Sequence, residues 1–275
     1  MFTSVPDPNA ESRPLPGYRA LLAVDAKDFT GLVAVQHSAV SALIPELVDR
    51  ALVAAGLTDL KDAKSFPANT GDGIVFGFAP AYLPFVVHPF LRTLDGVLGE
   101  HNAQRIAPRL RLRASVHVGP LPEADGNGTV RNDTHRLLDS RPVKAILATP
   151  GSERTTHLAA ILSHRVYEDA ILGGYTGLGP DHFIEVPATV EGKHYAQRAW
   201  LHIPSPSGQL LRNGVITAIE DSGASRSEPG PTTPEGHEPQ RNAMPPTQHV
   251  EQGNAIVGNV SGNISGTFGT PESHR

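Results

Sequence analysis

Two aspartates each lie directly next to a predicted strand. Asp25 follows the apolar run 20–24, and Asp72 lies between Gly71 and Gly73, just before another apolar stretch. Paired glycines favour a tight turn, and Asp-Gly is itself a common turn dipeptide, so a plain hairpin turn is one interpretation of Asp72. Asp25 alone is equally a turn residue or helix cap. If the strand end and the hairpin tip are adjacent, however, the two carboxylates and the phosphates of a nucleotide could hold Mg²⁺.

A second set of polar residues lies in "DGNGTVRNDTHRLL", residues 125–138. Asn132 and Arg136 are four positions apart, which places them on one face of a helix. An amide and a guanidinium there could bind a ribose and a migrating phosphoryl group. Taken alone, the pair is equally a helix cap and a surface charge.

The elements that must position these residues alternate between strands and helices. Apolar runs and alternation predict strands within 18–29, at 73–78 and 110–120, and in the closing segments "HFIEVPA" and "YAQRAWLHIP". Helical spacing predicts helices over 40–53, where Pro45 starts or kinks the helix, over 82–104, from Asn132 toward Leu147, and in "HLAAILSHRVYEDAIL". The fold class predicted is α/β, one compact α/β sandwich ending near residue 204.

Composition excludes several classes of function. The chain has 275 residues, 39% of them apolar, with a formal net charge of −5 and no cysteine. Disulfides, thiolate nucleophiles and cysteine-ligated zinc are excluded, and none of the 13 histidines pair at HxxxH or HxH spacing. Mild acidity argues against a nucleic-acid surface, and no apolar run reaches the roughly 20 residues of a membrane span. Because the polar, Pro-rich start does not resemble a signal peptide, we expect a soluble, cytoplasmic protein.

Four segments follow one another along the chain. We expect a flexible lead over 1–16, the folded α/β domain over 17–204, and a disordered Pro/Gly/Ser-rich linker over 205–249, in which "LLRNGVITAIED" is a docking piece. Residues 250–270 contain an uncharged repeat, "GNAIVGNVSGNISGTFG", with an apolar residue at every fourth position. Stacked cross-β assembly and a featureless Gly/Asn/Ser tail both fit this pattern.

Together, the order and spacing of these motifs resemble those of class III nucleotidyl cyclases, the catalytic domains of adenylate and guanylate cyclases. The family's first metal aspartate lies in Asp-x-x-Gly-Phe-Thr, and here the segment reads "DAKDFT", residues 25–30, with Asp28 in place of glycine. The second lies in a Gly-Asp hairpin, here residues 71–73. "ASVHVG" is similar to the Gly-x-His-x-Gly strand, and the family's Asp-x-x-Gly-x-x-Val-Asn-x-x-x-Arg aligns without a gap on residues 125–136, although Arg131 replaces valine.

The resemblance implies a ferredoxin-like catalytic domain that works as a head-to-tail homodimer. Asp25 and Asp72 of one copy would hold two Mg²⁺ or Mn²⁺ ions, which activate the ribose 3′-hydroxyl for attack on the α-phosphate of a nucleoside triphosphate. Asn132 and Arg136 of the other copy would position the ribose and stabilise charge in the transition state. Lys193, in a segment similar to the family's closing Lys-Gly strand pair, would contact the triphosphate.

The residues around the phosphates and the base complete the substrate site that the resemblance implies. If a helix begins near Phe29 and Thr30, backbone amides there would cradle the terminal phosphates. Family members that use ATP carry a lysine at the position of Ala68, so base recognition is altered here, and neighbouring Asn69 is a candidate to read a base edge. Asp125 stands where adenine-specific members place an aspartate.

Two functions from different classes remain open. The first is an active cyclase, in bacterial signalling or anti-phage defence, whose product base the sequence leaves unassigned. The second is a catalytically inactive cyclase-like sensor or dimerisation module, which Ala68 and Arg131 favour. With either, the tail resembles short RHIM-like amyloid signalling motifs, which would template the same motif on a partner protein.

Overall fold

The computed structural model describes residues 7–104, 108–122 and 126–224. The predicted tail at 250–270, the linker beyond residue 224, the first six residues of the lead and Asp125 lie outside the described residues.

Within those ranges, strands and helices interleave, and the predicted α/β fold class is confirmed. Seven strands among the described residues form one mixed sheet in the order β2-β3-β1-β4-β5-β7-β6. Strands β4 and β5 pair in parallel, and the other neighbours pair antiparallel. The strands are β1 (Tyr18–Ala26), β2 (Ser65–Asn69), β3 (Gly73–Phe78), β4 (Leu112–Pro120), β5 (Leu158–Ser163), β6 (Ile184–Thr189) and β7 (Ala196–His202).

The helices cover both faces of this sheet. They are α1 (Ala34–Ala54), α2 (Thr58–Asp62), α3 (Leu83–Phe85), α4 (Leu91–Ala103), α5 (Thr129–Leu138), α6 (Arg141–Ala148), α7 (His164–Val166), α8 (Gly208–Asn213) and α9 (Val215–Ala224). Short 3₁₀ turns at Phe29–Gly31, Pro80–Tyr82 and Pro180–His182 and π turns at Val86–Phe90 and Tyr167–Leu172 complete the described chain.

The alternation of side chains along β1 determines on which face of the sheet the Asp25 carboxylate lies. Leu22 and Val24 pack into the core beneath α1 and α4, whereas Leu21 and Ala23 pack into a separate cluster with residues of α5. Because successive strand residues point to opposite faces, Asp25 lies on the α5 side. The end of β1 therefore presents its carboxylate toward the helix that carries Asn132 and Arg136.

Two of the predicted helices were wrong in part. Residues 158–163 form the fully buried strand β5, because this apolar run lies between β4 and β7 with both of its faces covered. Periodicity alone does not separate such a strand from a buried helix. The helix predicted from Asn132 toward Leu147 is two helices, α5 and α6, and the break falls where Ser140 adopts an extended conformation before Pro142.

Proline has different effects in the two earlier helices. Pro45 lies inside α1, which begins at Ala34, well before the position expected from the sequence. The segment predicted as one helix over 82–104 is regular only in α4, because Pro84 and Pro89 interrupt the preceding turns.

Helices α8 and α9 occupy the first part of the segment expected to be a disordered linker from residue 205. The Ser207 hydroxyl caps α8 by accepting from the Leu210 amide, and the Leu210 side chain is buried. Val215 and Ile219 of α9 pack against the core cluster that contains residues of α6. Burial of these apolar side chains explains why the piece expected to dock is ordered. No helix among the described residues is long and apolar enough to cross a membrane.

Candidate functional site

The β2–β3 hairpin brings Asp72 to the end of β1. Asp25 pairs with Gly73 across the antiparallel β1–β3 ladder, and the Ala26 amide donates a hydrogen bond to the Asp72 carbonyl at 2.8 Å. A Cβ atom at Gly73 would overlap the Val24 carbonyl oxygen, so this close approach requires glycine. Gly71 has φ +91°, which also favours glycine. The two glycines therefore serve to seat the hairpin tip against β1.

Both aspartates line one cavity of about 160 Å³, which we call the carboxylate cavity. Its walls come from the end of β1, the hairpin and the end of α5. The lining residues are Ala23, Val24, Asp25, Thr70, Asp72, Ile74, His135, Leu138 and Asp139. Three carboxylates, a hydroxyl and an imidazole thus face a volume that accommodates a hydrated cation.

Arg113 of β4 makes a bidentate ion pair with Asp25. Its Nε donates to Asp25 Oδ1 at 2.8 Å and its Nη2 donates to Oδ2 at 2.7 Å, and both side chains are largely buried. Burial raises the pKa of Asp25 to about 7, against the lowering effect of Arg113 and with a further increase from the Asp72 charge. The ion pair with Arg113 therefore offsets only part of the unfavourable free energy of burying the charged Asp25 carboxylate.

The donor set fits a divalent cation in its chemistry. Oxygen donors are what Mg²⁺ and Mn²⁺ prefer, and Thr70 Oγ1 already orients Asp72 Oδ1 by donating to it at 3.2 Å. In the described part of the chain, no three histidine or acidic side chains stand close enough together to hold a metal ion as they are. Asp25 would have to exchange at least one Arg113 contact for the ion.

Asn132 and Arg136 lie on α5 but do not line the carboxylate cavity. Asn132 is exposed. Arg136 Nη1 donates to Asp133 Oδ1 at 3.0 Å, and its guanidinium lies over the Tyr195 ring, 5.4 Å from the centroid. An ion pair on one side and an aromatic face on the other hold the guanidinium in place while 43% of the Arg136 side chain remains exposed.

Among the described residues, two buried polar atoms near Asp133 have no hydrogen-bond partner: His117 Nδ1 and the Tyr195 hydroxyl. Burial lowers the pKa of His117 and raises that of Tyr195, and Asp133 acts electrostatically on both. Both side chains are therefore neutral at neutral pH. Each unsatisfied atom is unfavourable by roughly 1–3 kcal/mol.

The residues predicted to bind the phosphates differ in their local structure and exposure. Phe29 and Thr30 belong to a 3₁₀ turn rather than to the start of a helix, because α1 begins only at Ala34. The Phe29 ring stacks on His37 at 4.8 Å between centroids, and Thr30 is exposed. Lys193 is exposed and acts electrostatically on Asp139, whose pKa is held below its ordinary value despite burial, chiefly by Lys144.

The predicted base-reading residues lie on the edge strand β2. Asn69 Nδ2 donates to the Ser41 carbonyl at 3.1 Å, and its Oδ1 accepts from the Gly71 amide at 2.7 Å. These bonds tie the hairpin to α1. Ala68 packs partly buried against the cluster beneath α5. Asp125 lies outside the described residues.

Sequence reasoning missed three residues around Asp25. Arg113 lies in a strand whose sequence was analysed only for its apolar alternation. The same alternation places Arg113 on the α5 side of the sheet, paired with Asp25 across the β1–β4 ladder. His135 and Asp139 were not singled out, although they flank Arg136 on α5 and in the turn after it. Their spacing of four, which puts them on one helix side, was the available signal.

Several solved structures are similar to this chain. The adenylate/guanylate cyclase/hydrolase from Silicibacter pomeroyi is 18% identical with a TM-score of 0.46, and the match covers 68% of this chain and 97% of that one. The guanylyl cyclase Cya2 is 15% identical with a TM-score of 0.46, covering 70% and 94%. The adenylyl cyclase CyaB from P. aeruginosa is 14% identical with a TM-score of 0.41, covering 68% and 93%. No family model and no curated protein matches. Similarity this distant carries no information on activity, so the function depends on the residues of the site.

Proposed function

We propose that the chain is a metal-dependent nucleotidyl cyclase that converts a nucleoside triphosphate to a 3′,5′-cyclic nucleotide and pyrophosphate. The observation that carries the proposal is the convergence of Asp25 and Asp72 on one cavity, from separate strands, through glycine-dependent packing of the hairpin. A plain turn residue needs no such neighbour. We infer the type of reaction from the motif resemblance, and we propose that it takes place in the carboxylate cavity.

In this proposal, Asp25 and Asp72 hold two Mg²⁺ or Mn²⁺ ions with the phosphates of the substrate. The ions, when bound, would activate the 3′-hydroxyl and neutralise charge on the leaving pyrophosphate. Asp25 must be ionised to act as a ligand, so its raised pKa makes binding tighter as pH rises through about 7. Lys193 and the backbone near Phe29 and Thr30 would contact the triphosphate.

A second copy of the chain completes the site. Asn132 and Arg136 do not line the carboxylate cavity of their own copy, so we propose that they serve the cavity of a partner in a homodimer. There, the Asn132 amide would position the ribose, and the exposed Arg136 guanidinium would stabilise charge on the transferred phosphoryl group. Ala68, Asn69 and Asp125 would surround the base.

One observation favours a second candidate, a non-catalytic nucleotide sensor. Both oxygens of Asp25 are already occupied by Arg113, as in a site that has exchanged metal binding for a permanent ion pair. A buried, well-aligned pair of this kind also serves as a purely structural link. Under this alternative, nucleotides bind without being converted.

Mass spectrometry separates the two candidates. Purified protein is incubated with Mn²⁺ and each of the four ribonucleoside triphosphates, beside Asp72→Ala as the matched variant. A cyclic monophosphate that the variant fails to form supports the cyclase and identifies the base. Binding of a nucleotide without product, at concentrations where the protein is dimeric, supports the sensor.

The biological setting belongs to the same proposal. A cytoplasmic cyclase in bacterial signalling or anti-phage defence, tethered to a self-assembling tail, would be gathered into clusters in which dimers form readily. The peptide 250–270 alone is then expected to form fibres with a cross-β diffraction pattern and to template the same motif on a partner protein. A peptide that stays monomeric under all conditions tested contradicts this role for the tail.

A further inference from the structure

We propose that the chain has a second ligand site, which binds a small organic carboxylate with an apolar body and a hydrogen-bond donor. The site is a cavity of about 390 Å³ that shares no lining residue with the carboxylate cavity. We call it the histidine cavity, because His88, His182 and His202 contribute to its walls. Among the described residues, none of those proposed to bind the nucleotide or the metal ions lines it, so the two proposals can fail separately.

The histidine cavity lies where α8 and α9 meet the end of β7. Its walls come from α4, β6, β7, α8 and α9, and from the turns that precede α4 and β6. Small-molecule sites usually enclose roughly 300–1,000 Å³ and combine mainly apolar walls with a few polar groups. This cavity has both properties, and its apolar lining consists of Leu178, Ile184, Leu201, Ile203, Leu211 and Val215, together with two prolines.

The buried His202 imidazole offers a hydrogen-bond acceptor at this cavity. His202 is only 6% exposed, and its Nδ1 lies 3.1 Å from the His182 carbonyl oxygen, which can only accept, so Nδ1 carries the proton. Burial lowers the pKa of His202, and repulsion from His182 and His88 adds to this effect, although the bond to the carbonyl acts in the other direction. The ring is therefore neutral at neutral pH. Its Nε2 is then an acceptor, and no described residue donates to it.

Arg92 provides a positive charge at the same cavity. It lies in the first turn of α4, is exposed, and makes no hydrogen bond or ion pair with any described residue. Asp181 is the only carboxylate among the described lining residues, and its Oδ1 lies against Gly179, 2.8 Å from where a Cβ atom there would be. A guanidinium binds a carboxylate through two parallel hydrogen bonds. The unpaired Arg92 beside apolar walls therefore favours an organic acid.

Two other ligand classes fit the histidine cavity less well. Three imidazoles suggest a metal ion, but in the described part of the chain no three histidine or acidic side chains stand close enough together to hold one. Inorganic phosphate would pair with Arg92 but would leave the apolar walls exposed to water. A carboxylate with an apolar body covers these walls, which is favourable in proportion to the apolar area buried, and a hydroxyl on that body could donate to His202 Nε2.

Isothermal titration calorimetry with 4-hydroxybenzoate tests the site in the untagged full-length protein, without metal or nucleotide. This probe carries a carboxylate, an apolar ring and a hydroxyl. We expect saturable binding with a Kd on the order of 1 mM, as is ordinary for a ligand of about ten non-hydrogen atoms. Arg92→Gln should weaken binding about tenfold, because a charge-assisted pair is lost. Arg154→Gln, which removes an exposed arginine outside the cavity, should leave it unchanged.

Two related ligands separate the contributions of Arg92 and His202. 4-Hydroxybenzyl alcohol lacks the charge and should bind the wild type and Arg92→Gln equally weakly. Benzoate lacks the hydroxyl and should bind the wild type about fivefold more weakly than 4-hydroxybenzoate does, because His202 Nε2 stays without a donor.

Three results would overturn the inference. They are no saturable binding of 4-hydroxybenzoate, equal losses of affinity in Arg92→Gln and Arg154→Gln, and binding of inorganic phosphate as tight as that of the probe. The last would mean that Arg92 captures anions at the surface without use of the cavity. Equal affinities for benzoate and 4-hydroxybenzoate would contradict the role of His202. Since no nucleotide or metal is present, none of these results bears on the cyclase proposal.

Discussion

The carboxylate cavity and the outer face of α5 carry the two halves of the proposed site, and different forces hold them. In the cavity, backbone pairing fixes Asp25 beside the Asp72 hairpin, and glycine permits the close approach. On α5, side chains alone hold Arg136, between an Asp133 carboxylate and the Tyr195 ring. Asp25 and Asp72 line the carboxylate cavity, whereas Asn132 and Arg136 do not.

This difference indicates which substitutions should disturb each half of the proposed site. Strand register fixes the position of Asp25 relative to the hairpin, so the cavity should tolerate most changes outside its proposed ligands, Gly73 and Arg113. A guanidinium held by two side chains depends on each of them, and a small change in either one displaces it. Substitutions should therefore affect the two halves unequally.

The largest expected effect is on the ligands themselves. Asp72→Asn preserves the shape of the hairpin but removes the charge that holds the ions, so product formation should fall at least about a thousandfold. Asp59→Asn, at an exposed position of α2, is the matched control. Mass spectrometry of the product gives the rates, and an Asp72→Asn enzyme with near-normal activity would show that the cavity does not hold the ions.

Arg113→Met should produce the largest loss of stability. Above the Asp25 pKa of about 7, it leaves the buried carboxylate without its partner, which is unfavourable by about 3–5 kcal/mol. The melting temperature, measured by calorimetry, should fall by roughly 10 °C. Adding Asp25→Asn to the same chain should restore most of this loss, because the unpaired charge is gone. A double variant no more stable than Arg113→Met would mean that packing, not charge, explains the effect.

The pH dependence of stability isolates the contribution of Asp25. Its pKa in the folded chain, about 7, lies above the ordinary value of 3.8, so the folded state binds this proton more tightly than the unfolded state does. The resulting stabilisation is fully present below about pH 4 and is lost as pH rises to about 7. Without metal, the wild type should lose stability relative to Asp25→Asn between these limits, as seen in chemical unfolding at stepped pH. A constant difference between the two proteins would show that Asp25 stays ionised.

A smaller effect is expected on the α5 half. Asp133→Asn loosens Arg136 and should lower kcat about tenfold with little change in KM, because the guanidinium acts mainly in the transition state. Tyr195→Phe keeps the aromatic face and removes a hydroxyl for which the described residues offer no hydrogen-bond partner, so kcat should be unchanged. Steady-state kinetics of the two variants decides the point. Equal losses in both would mean that the cluster supports the fold in general rather than Arg136.

Much of this organisation could be predicted from the sequence. Strand alternation and the glycines beside Asp72 were the local signals, and they made the two aspartates candidates for a pair if their strand ends were adjacent. The residues that modify the site were not predictable in this way. Arg113 reaches Asp25 through the pairing of β1 with β4, and His135 reaches the cavity through the packing of α5 on the sheet, which are contacts between distant segments. Strand β5 was mistaken for a helix for a related reason, since burial on both faces removes the alternation that identifies a strand.

The shared site can be tested directly by mixing two inactive variants, Asp72→Ala and Arg136→Ala. In a head-to-tail homodimer, the mixed dimer contains one site with all its residues and one site with neither. Because half of the dimers in an equal mixture are mixed and each has one working site of two, activity should recover to about a quarter of the wild-type value. No recovery, with mixed dimers demonstrated by native mass spectrometry, would contradict a site built from two copies of this chain.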